Sequence, residues 1–272
     1  MRTLALIPAR GGSTRVPGKN LARLGGRTLV RRALDTTLAA GCFHTVALSS
    51  DDPQILAEAE PLPDVVRLTR PDALATTEAR SYDVLAHALD VLESEHGFEP
   101  FDAAAIVQCT SPFTAPEDLV ATLRLLERSG AGSAVSVVRV DAGEHPLKLK
   151  RMEGDRLVPY LAEDALTPAQ ELPPLWKRNG SVYASRREVI DAGAMLGEDV
   201  RGHEMPAERS FDVDTPRDLA FARFLMEREG DQTAGFVPTD RLVRDLGGVL
   251  AADDPLAEEL RDADDAVRDP FG

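Results

Sequence analysis

The sequence predicts an α/β protein built on a doubly wound, mostly parallel sheet. Short apolar runs of strand length alternate along the chain with longer segments whose apolar residues recur at helical spacing. The first apolar run, residues 4–7, is followed at once by a loop rich in glycine and basic residues. Strands that alternate with helices at this spacing indicate βαβ units, and in such sheets ligands bind beyond the carboxyl ends of the strands.

In the first half of the chain, each predicted strand leads into a helix with a recognisable start. Pro8 ends the apolar run that begins at Leu4, and Thr28 is suited to cap a helix that reaches about residue 40. The sequence Ser-Asp-Asp-Pro after the second strand starts another helix, and apolar residues in phase predict a long helix from Ser81. Strands are predicted at residues 4–7, 45–49 and 65–68, and helices at 28–40, from 53, and at 81–95.

In the second half the alternation continues, with one interruption. Strands are predicted at residues 103–108, 133–140, 180–184 and 202–205, and helices at 116–129, from 187, and at 216–229. Residues 143–178 carry five prolines and show no sustained period, and loops of this length are uncommon unless they are functional or packed on a partner. Beyond Gly230 the composition becomes strongly acidic, which indicates a mobile appendage. We therefore predict one domain over 1–229, with an irregular arm at about 143–178, and an acidic tail over 230–272.

Composition narrows the classes of function. The chain has 272 residues and a net charge of −15, with 43% hydrophobic and 28% charged residues, which is ordinary for a soluble globular protein. The acidic balance argues against a nucleic-acid surface. Cys42 and Cys109 make neither a disulfide framework nor a metal quartet, and no 18-residue apolar run exists. We expect a cytoplasmic protein without a membrane anchor.

The loop over residues 8–20 predicts a nucleoside triphosphate site. Glycines let backbone N–H groups approach a phosphate closely, and Arg10, Arg15 and Lys19 supply positive charge. The loop is not a Walker A motif, because five residues rather than four separate Gly12 from Gly18 and no Ser or Thr follows the Gly-Lys pair. The dinucleotide pattern Gly-x-Gly-x-x-Gly is absent as well. A plain surface connection is the alternative, but the basic residues at the end of a buried strand favour phosphate binding.

Two acidic residues near the end of the predicted domain are candidate metal ligands. Asp212 and Asp214 are two apart, so on a strand end both carboxylates would point to one face, an arrangement suited to Mg²⁺ held together with substrate phosphates. Asp214 has an alternative role as the N-cap of the helix that begins at Pro216. Residues 108–112 read as a strand-to-helix turn with several donors.

Residues 9–20, Ala-Arg-Gly-Gly-Ser-Thr-Arg-Val-Pro-Gly-Lys-Asn, resemble the signature of the CMP-sialic acid synthetase (acylneuraminate cytidylyltransferase) family. The turn at 108–112, His-Pro-Leu-Lys at 145–148, Asn-Gly at 179–180 and Asp-Val-Asp-Thr at 212–215 are similar to other motifs of that family, and the resemblance spans residues 3–228. It implies a nucleotide-diphospho-sugar transferase-like fold, CTP and an acidic sugar as substrates, Mg²⁺ as cofactor, and a homodimer reached through the arm.

The same resemblance implies roles for individual residues. Catalytic roles fall to Arg10, Lys19 and Gln108. Nucleotide contacts fall to Gly11, Gly12, Ser13, Arg15, Asn20, Arg70, Ala79 and Ser81. Contacts with the sugar fall to Thr110, Ser111, Lys148 and Asn179, with Lys148 on its carboxylate. The metal ligands are Asp212 and Asp214.

Two departures from the family pattern leave alternatives open. Thr14 stands at a usual lysine and Ala169 at a frequent arginine, which suggests a cytidylyltransferase for KDO or another acidic acceptor. The turn Gln-Cys-Thr-Ser-Pro at 108–112 favours the sialate branch, and we read Cys109 within it as buried packing. A catalytically weak nucleotide-binding protein, with the acidic tail as its partner-binding segment, is the third possibility.

Overall fold

The computed structural model describes residues 1–13, 15–161 and 168–229, so the acidic tail predicted over 230–272 lies outside the described residues. The strands are β1 (Thr3–Pro8), β2 (Arg23–Leu24), β3 (Arg27–Thr28), β4 (Thr45–Ser50), β5 (Val65–Thr69), β6 (Ala103–Val107), β7 (Ser133–Arg139), β8 (Lys150–Glu153), β9 (Arg156–Pro159), β10 (Trp176–Arg186) and β11 (Val200–Glu204). The helices are α1 (Leu29–Ala40), α2 (Pro53–Ala57), α3 (Ser81–Asp90), α4 (Pro116–Ser129), α5 (Arg187–Asp191) and α6 (Pro216–Glu229).

Seven strands form one sheet in the order β11-β7-β10-β6-β1-β4-β5. All neighbours are parallel except β10, which runs antiparallel to both β6 and β7. The centre of the sheet is buried on both faces, which explains the continuous apolar run of β1. Leu4 and Leu6 pack into one core cluster and Ala5 and Ile7 into the other, as the two-residue period of a strand requires. The predicted mostly parallel sheet is confirmed.

Helices cover both faces of this sheet, so the predicted doubly wound arrangement is also confirmed. Leu34 of α1 and Leu119 of α4 belong to the core cluster of one face, and Leu85 of α3 and Ile190 of α5 belong to that of the other. Thr28 caps α1 as expected, because its hydroxyl accepts a hydrogen bond from the backbone N–H of Arg31 at 3.1 Å. Within the described ranges, no helix is long and apolar enough to cross a membrane.

The arm differs from the prediction of an irregular segment. It contains an antiparallel hairpin of β8 and β9, and β10 begins at Trp176 rather than at Gly180. The hairpin was missed because its apolar residues are not buried within the chain: Met152 and Leu157 are 63% and 64% exposed. Hydrophobic periodicity indicates burial against the core of the same chain, and the apolar residues of this hairpin do not pack on that core.

Candidate nucleotide-binding cleft

A cleft of about 440 Å³ lies beyond the carboxyl ends of the central strands β1 and β6. The loop that follows β1 contributes three basic side chains to its lining, Arg10, Arg15 and Lys19, and Arg70 beyond β5 adds a fourth. Parallel strands deliver their following loops to one edge, so residues far apart in the sequence meet there. Neutral predicted residues in the lining are Ser13, Asn20, Ala79, Ser81, Gln108 and Thr110.

The loop after β1 is held in place by polar contacts to its backbone. The N–H of Gly11 donates to a carboxylate oxygen of Asp51 at 3.0 Å, and the buried side-chain amide of Asn20 donates to the carbonyl of Arg10 at 2.9 Å. A Cβ on Gly11 would lie 2.9 Å from the Cβ of Asp52, closer than atoms normally approach. Glycine is therefore required at position 11, where the loop contacts the turn that follows β4 at Asp51 and Asp52.

The two predicted acidic residues share this cleft with the basic loop. Asp214 accepts from the Lys19 ammonium at 3.2 Å and from the Arg15 guanidinium at 3.1 Å. Lys19 also donates to the carbonyl of Val213 at 3.1 Å, so the loop and the acidic segment are joined directly. Asp212 lines the same cleft. The cleft thus places cations and carboxylates side by side, an arrangement suited to a polyphosphate with a metal ion.

Two expectations about the acidic segment were wrong. Residues 211–214 are not a strand, so the two carboxylates face the cleft through an irregular backbone rather than through the alternation of a strand. Asp214 does not cap α6 either. Thr215 accepts from the N–H of Asp218 at 3.2 Å, and Asp218 accepts from the N–H of Thr215 at 2.7 Å, a reciprocal cap. The carboxylate of Asp214 is consequently left for the cleft.

Opposing effects act on the pKa of Asp212, and their net result is a rise. Burial raises its pKa above the usual carboxyl value, a hydrogen bond from Thr110 opposes this, and the neighbouring carboxylate of Asp214 adds to the rise. Among the described residues no ion pair neutralises Asp212. A cation bound next to this carboxylate would favour its charged form.

Arg70 is a buried basic residue of the cleft lining. It is 5% exposed and donates to the backbone carbonyl and the hydroxyl of Ser49, at 2.8 and 3.2 Å. Burial lowers the pKa of this guanidinium, and the negative charge of Asp51 works against that effect. Arg10 donates to the carbonyl of Thr76 at 2.9 Å, which ties the basic loop to the segment that carries Ala79 and Ser81.

Three residues predicted to contact the sugar lie outside the cleft. Asn179 is buried, accepts from the hydroxyl of Ser136 at 2.6 Å and donates to that of Ser210 at 2.9 Å, which makes it part of the sheet's internal network. Ser111 is 4% exposed and lies behind the cleft lining. Lys148 sits in a short turn of the arm and is not among the described residues that line the cleft. Gly11 and Gly12 belong to the loop but do not line the cleft themselves.

A side chamber of about 380 Å³ adjoins the cleft and was not foreseen. It shares Ser81, Gln108 and Tyr183 with the cleft, and its other lining residues are Ile106, Arg178, Met195 and Leu196. Tyr183 and Arg178 come from β10, whereas the sequence predicted a strand at 180–184 only and placed Arg178 at the end of the arm. Arg178 directly precedes the Asn-Gly pair of the resemblance, which was the available signal for a nearby site.

The sequence model of the cytidylyltransferase family matches residues 4–186. The chain is 31% identical to CMP-N,N'-diacetyllegionaminic acid synthase of Legionella pneumophila over 84% of its own length and 97% of the relative's. It is 29% identical to N-acylneuraminate cytidylyltransferase A of Danio rerio, with 83% of this chain and 51% of that protein covered. It is 26% identical to pseudaminic acid cytidylyltransferase of Campylobacter jejuni, with 83% of this chain and 96% of that protein covered.

Among solved structures, CMP:2-keto-3-deoxy-manno-octonic acid synthetase complexed with CTP resembles the chain with a TM-score of 0.63. The identity is 22%, with 84% of this chain and 100% of that one covered, so the likeness shows a shared fold. The 4-diphosphocytidyl-2C-methyl-D-erythritol synthase of Anaerococcus prevotii has a TM-score of 0.58 at 14% identity. The match to the family model over most of the domain and the similarity to the Legionella enzyme agree: this chain belongs to the cytidylyltransferase family.

Proposed function

We propose that the protein transfers CMP from CTP to an acidic sugar of the sialic acid or related nonulosonate class and releases pyrophosphate. The observation that carries the proposal is the meeting of the basic loop at Arg10–Lys19 with Asp212 and Asp214 in one cleft. The curated relatives named above are synthases or cytidylyltransferases of legionaminic, acylneuraminic and pseudaminic acids. These names support a nonulosonate acceptor.

In this reaction an oxygen of the sugar's anomeric hydroxyl bonds to the α-phosphorus of CTP, and the bond from that phosphorus to the bridging oxygen of the β-phosphate breaks. Pyrophosphate leaves with the negative charge, and the hydroxyl proton is released to solvent. Catalysis then depends on positioning and on stabilising charge on the phosphate oxygens. Arg10 and Lys19 supply positive charge for the triphosphate, and Gln108, which lines both cleft and side chamber, orients the acceptor.

We further propose Mg²⁺ as the cofactor, held by Asp212 and Asp214. The donor set fits, because two carboxylates of one cleft supply hard oxygens and Asp212 lacks an ion-pair partner among the described residues. Within the described ranges no three acidic, His or Cys side chains are placed to hold a metal ion by themselves. Mg²⁺ usually completes its shell with phosphate oxygens and water. When bound, Mg²⁺ would neutralise phosphate oxygens.

We also propose a homodimer formed through the arm. Apolar side chains of the hairpin and its flanks are exposed in the single chain: Leu149, Met152, Leu157, Tyr160 and Trp176. Exposed apolar side chains concentrated in one segment favour an interaction site there. Light scattering on the full chain should give twice the monomer mass, and replacing Met152 and Leu157 by Asp should shift it to the monomer mass; a monomeric wild type would contradict the proposal.

A cytoplasmic location is part of the same proposal. Cys42 and Cys109 are free thiols, and Cys109 is fully buried as expected of a packing residue. Burial raises the pKa of the Cys109 thiol to about 12, so it stays protonated and unreactive. Free thiols are typical of a reducing compartment.

The proposal is tested by pyrophosphate release from CTP with Mg²⁺ and a panel of sialic, legionaminic, pseudaminic and KDO acids. Turnover with at least one nine-carbon acid is expected. Turnover with KDO alone would overturn the acceptor class, and CTP binding without any turnover would make the chain a nucleotide-binding module. Asp212→Asn should abolish Mg²⁺-dependent turnover while the unfolding midpoint stays close to that of the wild type, and surviving activity would refute the metal assignment.

A further inference from the structure

The side chamber next to the cleft offers a place for the acceptor, and one residue there stands out chemically. Arg178 is the one charged side chain among the described residues that line this chamber. The remaining lining is neutral, with apolar contributions from Ile106, Met195 and Leu196. No carboxylate of the chamber is therefore present to neutralise the guanidinium.

Arg178 also differs from the arginines of the cleft in its bonding. Arg10, Arg15 and Arg70 each donate to a backbone or side-chain oxygen of the protein. The guanidinium of Arg178 makes neither a hydrogen bond nor a salt bridge to any part of the chain that the structure describes. Its neighbour on the strand, Lys177, is paired with Glu144 at 2.7 Å. The Arg178 side chain is exposed and has its donors available for a ligand.

The local backbone explains why this arginine reaches the chamber. Arg178 pairs with Val137 of β7 and Tyr183 pairs with Val135, so residues 179–182 of β10 stand opposite Ser136 alone. This bulge contains Gly180 with a φ of +85°. Bulges bend a strand and redirect the side chains beside them. The pairing of β10 with β6 ends at Val182, so Arg178 extends past the end of β6 toward the edge where the ligand cleft opens.

We propose that Arg178 binds the carboxylate of the acidic acceptor. This inference rests on the proposed function and adds to it the residue that recognises the acid. A planar guanidinium holds a carboxylate through two parallel hydrogen bonds. Lys148, which the resemblance assigned to this carboxylate, lines neither space in the described chain. Position 169 carries alanine, so it has no charge to offer.

The test compares Arg178→Met and Arg178→Lys with Lys177→Met as the matched control on the same strand. The wild type and variants are assayed as full chains with CTP, Mg²⁺ and N-acetylneuraminate, or its methyl ester as a neutral analogue. Binding of both sugars is also followed by saturation-transfer NMR, which requires no turnover. Lys177 is exposed and its ion pair contributes little, so its replacement is expected to leave every constant unchanged.

Arg178→Met should raise KM for the free acid about 10- to 100-fold, the range expected for a lost bond to a charged group, while KM for CTP changes less than about 2-fold. The preference of the wild type for the acid over the ester should disappear in this variant. Arg178→Lys should recover part of it, because a lysine keeps the charge but not the paired donors.

An equal rise in KM for the acid and for the ester, or a parallel rise in KM for CTP, would overturn the assignment. So would an unchanged KM for the acid. The two proposals fail separately: acid binding that depends on Arg178 without pyrophosphate release would refute the transferase and retain the acid site. Turnover and acid KM that are unchanged in Arg178→Met would refute the acid site and retain the transferase. A wild type that neither binds nor converts any nine-carbon acid of the panel overturns both.

Discussion

Asp118, at the start of α4, is the acidic residue whose removal should destabilise the fold most clearly. It is 1% exposed and accepts two hydrogen bonds from the guanidinium of Arg209, at 2.8 and 2.9 Å. It also accepts from the backbone N–H of Ala115 at 3.0 Å and contacts His203 of β11 at 3.4 Å. One carboxylate thus joins a helix start, an edge strand and the turn that precedes the acidic segment of the cleft.

The magnitude of Asp118→Asn follows from these contacts. Breaking a buried ion pair by neutralising one partner costs about 3–5 kcal/mol of unfolding free energy when both groups are buried. The side chain of Arg209 is 33% exposed, so water partly solvates its guanidinium and reduces the loss. The bond to Ala115 can persist through the amide oxygen. We therefore expect a loss of about 2–3 kcal/mol, which corresponds to about 4–12 °C in Tm for a domain of this size.

The pH dependence has a definite sign. Burial acts to raise the pKa of Asp118, but the hydrogen bonds from Arg209 and Ala115 outweigh it and hold the pKa below the usual carboxyl value. Because the folded pKa is lowered, this stabilisation is fully present above the pKa of the unfolded chain and is lost as pH falls through the folded value. The gap between the wild type and Asp118→Asn should be constant near neutrality and shrink below about pH 4.

Urea unfolding from pH 7 to pH 3 measures this gap, and Glu117→Gln serves as the control, since Glu117 is the exposed neighbour on α4. The control should change the unfolding free energy by less than about 1 kcal/mol, the most a charge in the first turn contributes. A loss below about 0.5 kcal/mol for Asp118→Asn, or a gap that does not shrink in acid, would refute the argument from burial.

Two further predictions concern the basic loop. The side chain of Lys19 is 13% exposed and that of Arg15 is 68% exposed, although both pair with Asp214. Lys19→Met should raise KM for CTP about 10- to 150-fold and Arg15→Met less than about 5-fold; steady-state kinetics decide, and the reverse order contradicts the reasoning. Gly11→Ala places a Cβ 2.9 Å from Asp52 and should lower kcat/KM for CTP at least ~10-fold. In the matched control Gly143→Ala, the added Cβ meets no atom within 4 Å, so kcat/KM for CTP should not change.

The sequence was sufficient to predict features that depend on the residues of one short segment. The apolar run at Leu4 predicted the central strand because burial on both faces leaves no polar positions. Thr28 predicted the start of α1 because its cap is local. The glycines and cations of the loop predict a phosphate site, and this stays a prediction; the structure places that loop against Asp214, nearly two hundred residues away.

The remaining features depend on contacts that no local pattern encodes. Asp118 looks like any acidic residue in a first helical turn, and its partner Arg209 is 91 residues away. The interior position of Asn179 depends on Ser136 from another strand. Arg178 reaches its chamber through a bulge, and the register shift that creates it is set by pairing with β7.

The antiparallel strand β10 fills the space between β6 and β7, which precede it in the chain. Until residues 176–186 are synthesised, those two strands present unpaired backbone edges toward each other, and such edges promote association between chains. Completion of the sheet must therefore wait for a distant segment, and late long-range pairing slows folding. Strand β10 also contributes Tyr183 and Arg178 to the side chamber, so a nascent or truncated chain that stops before it is prone to association and lacks these two lining residues.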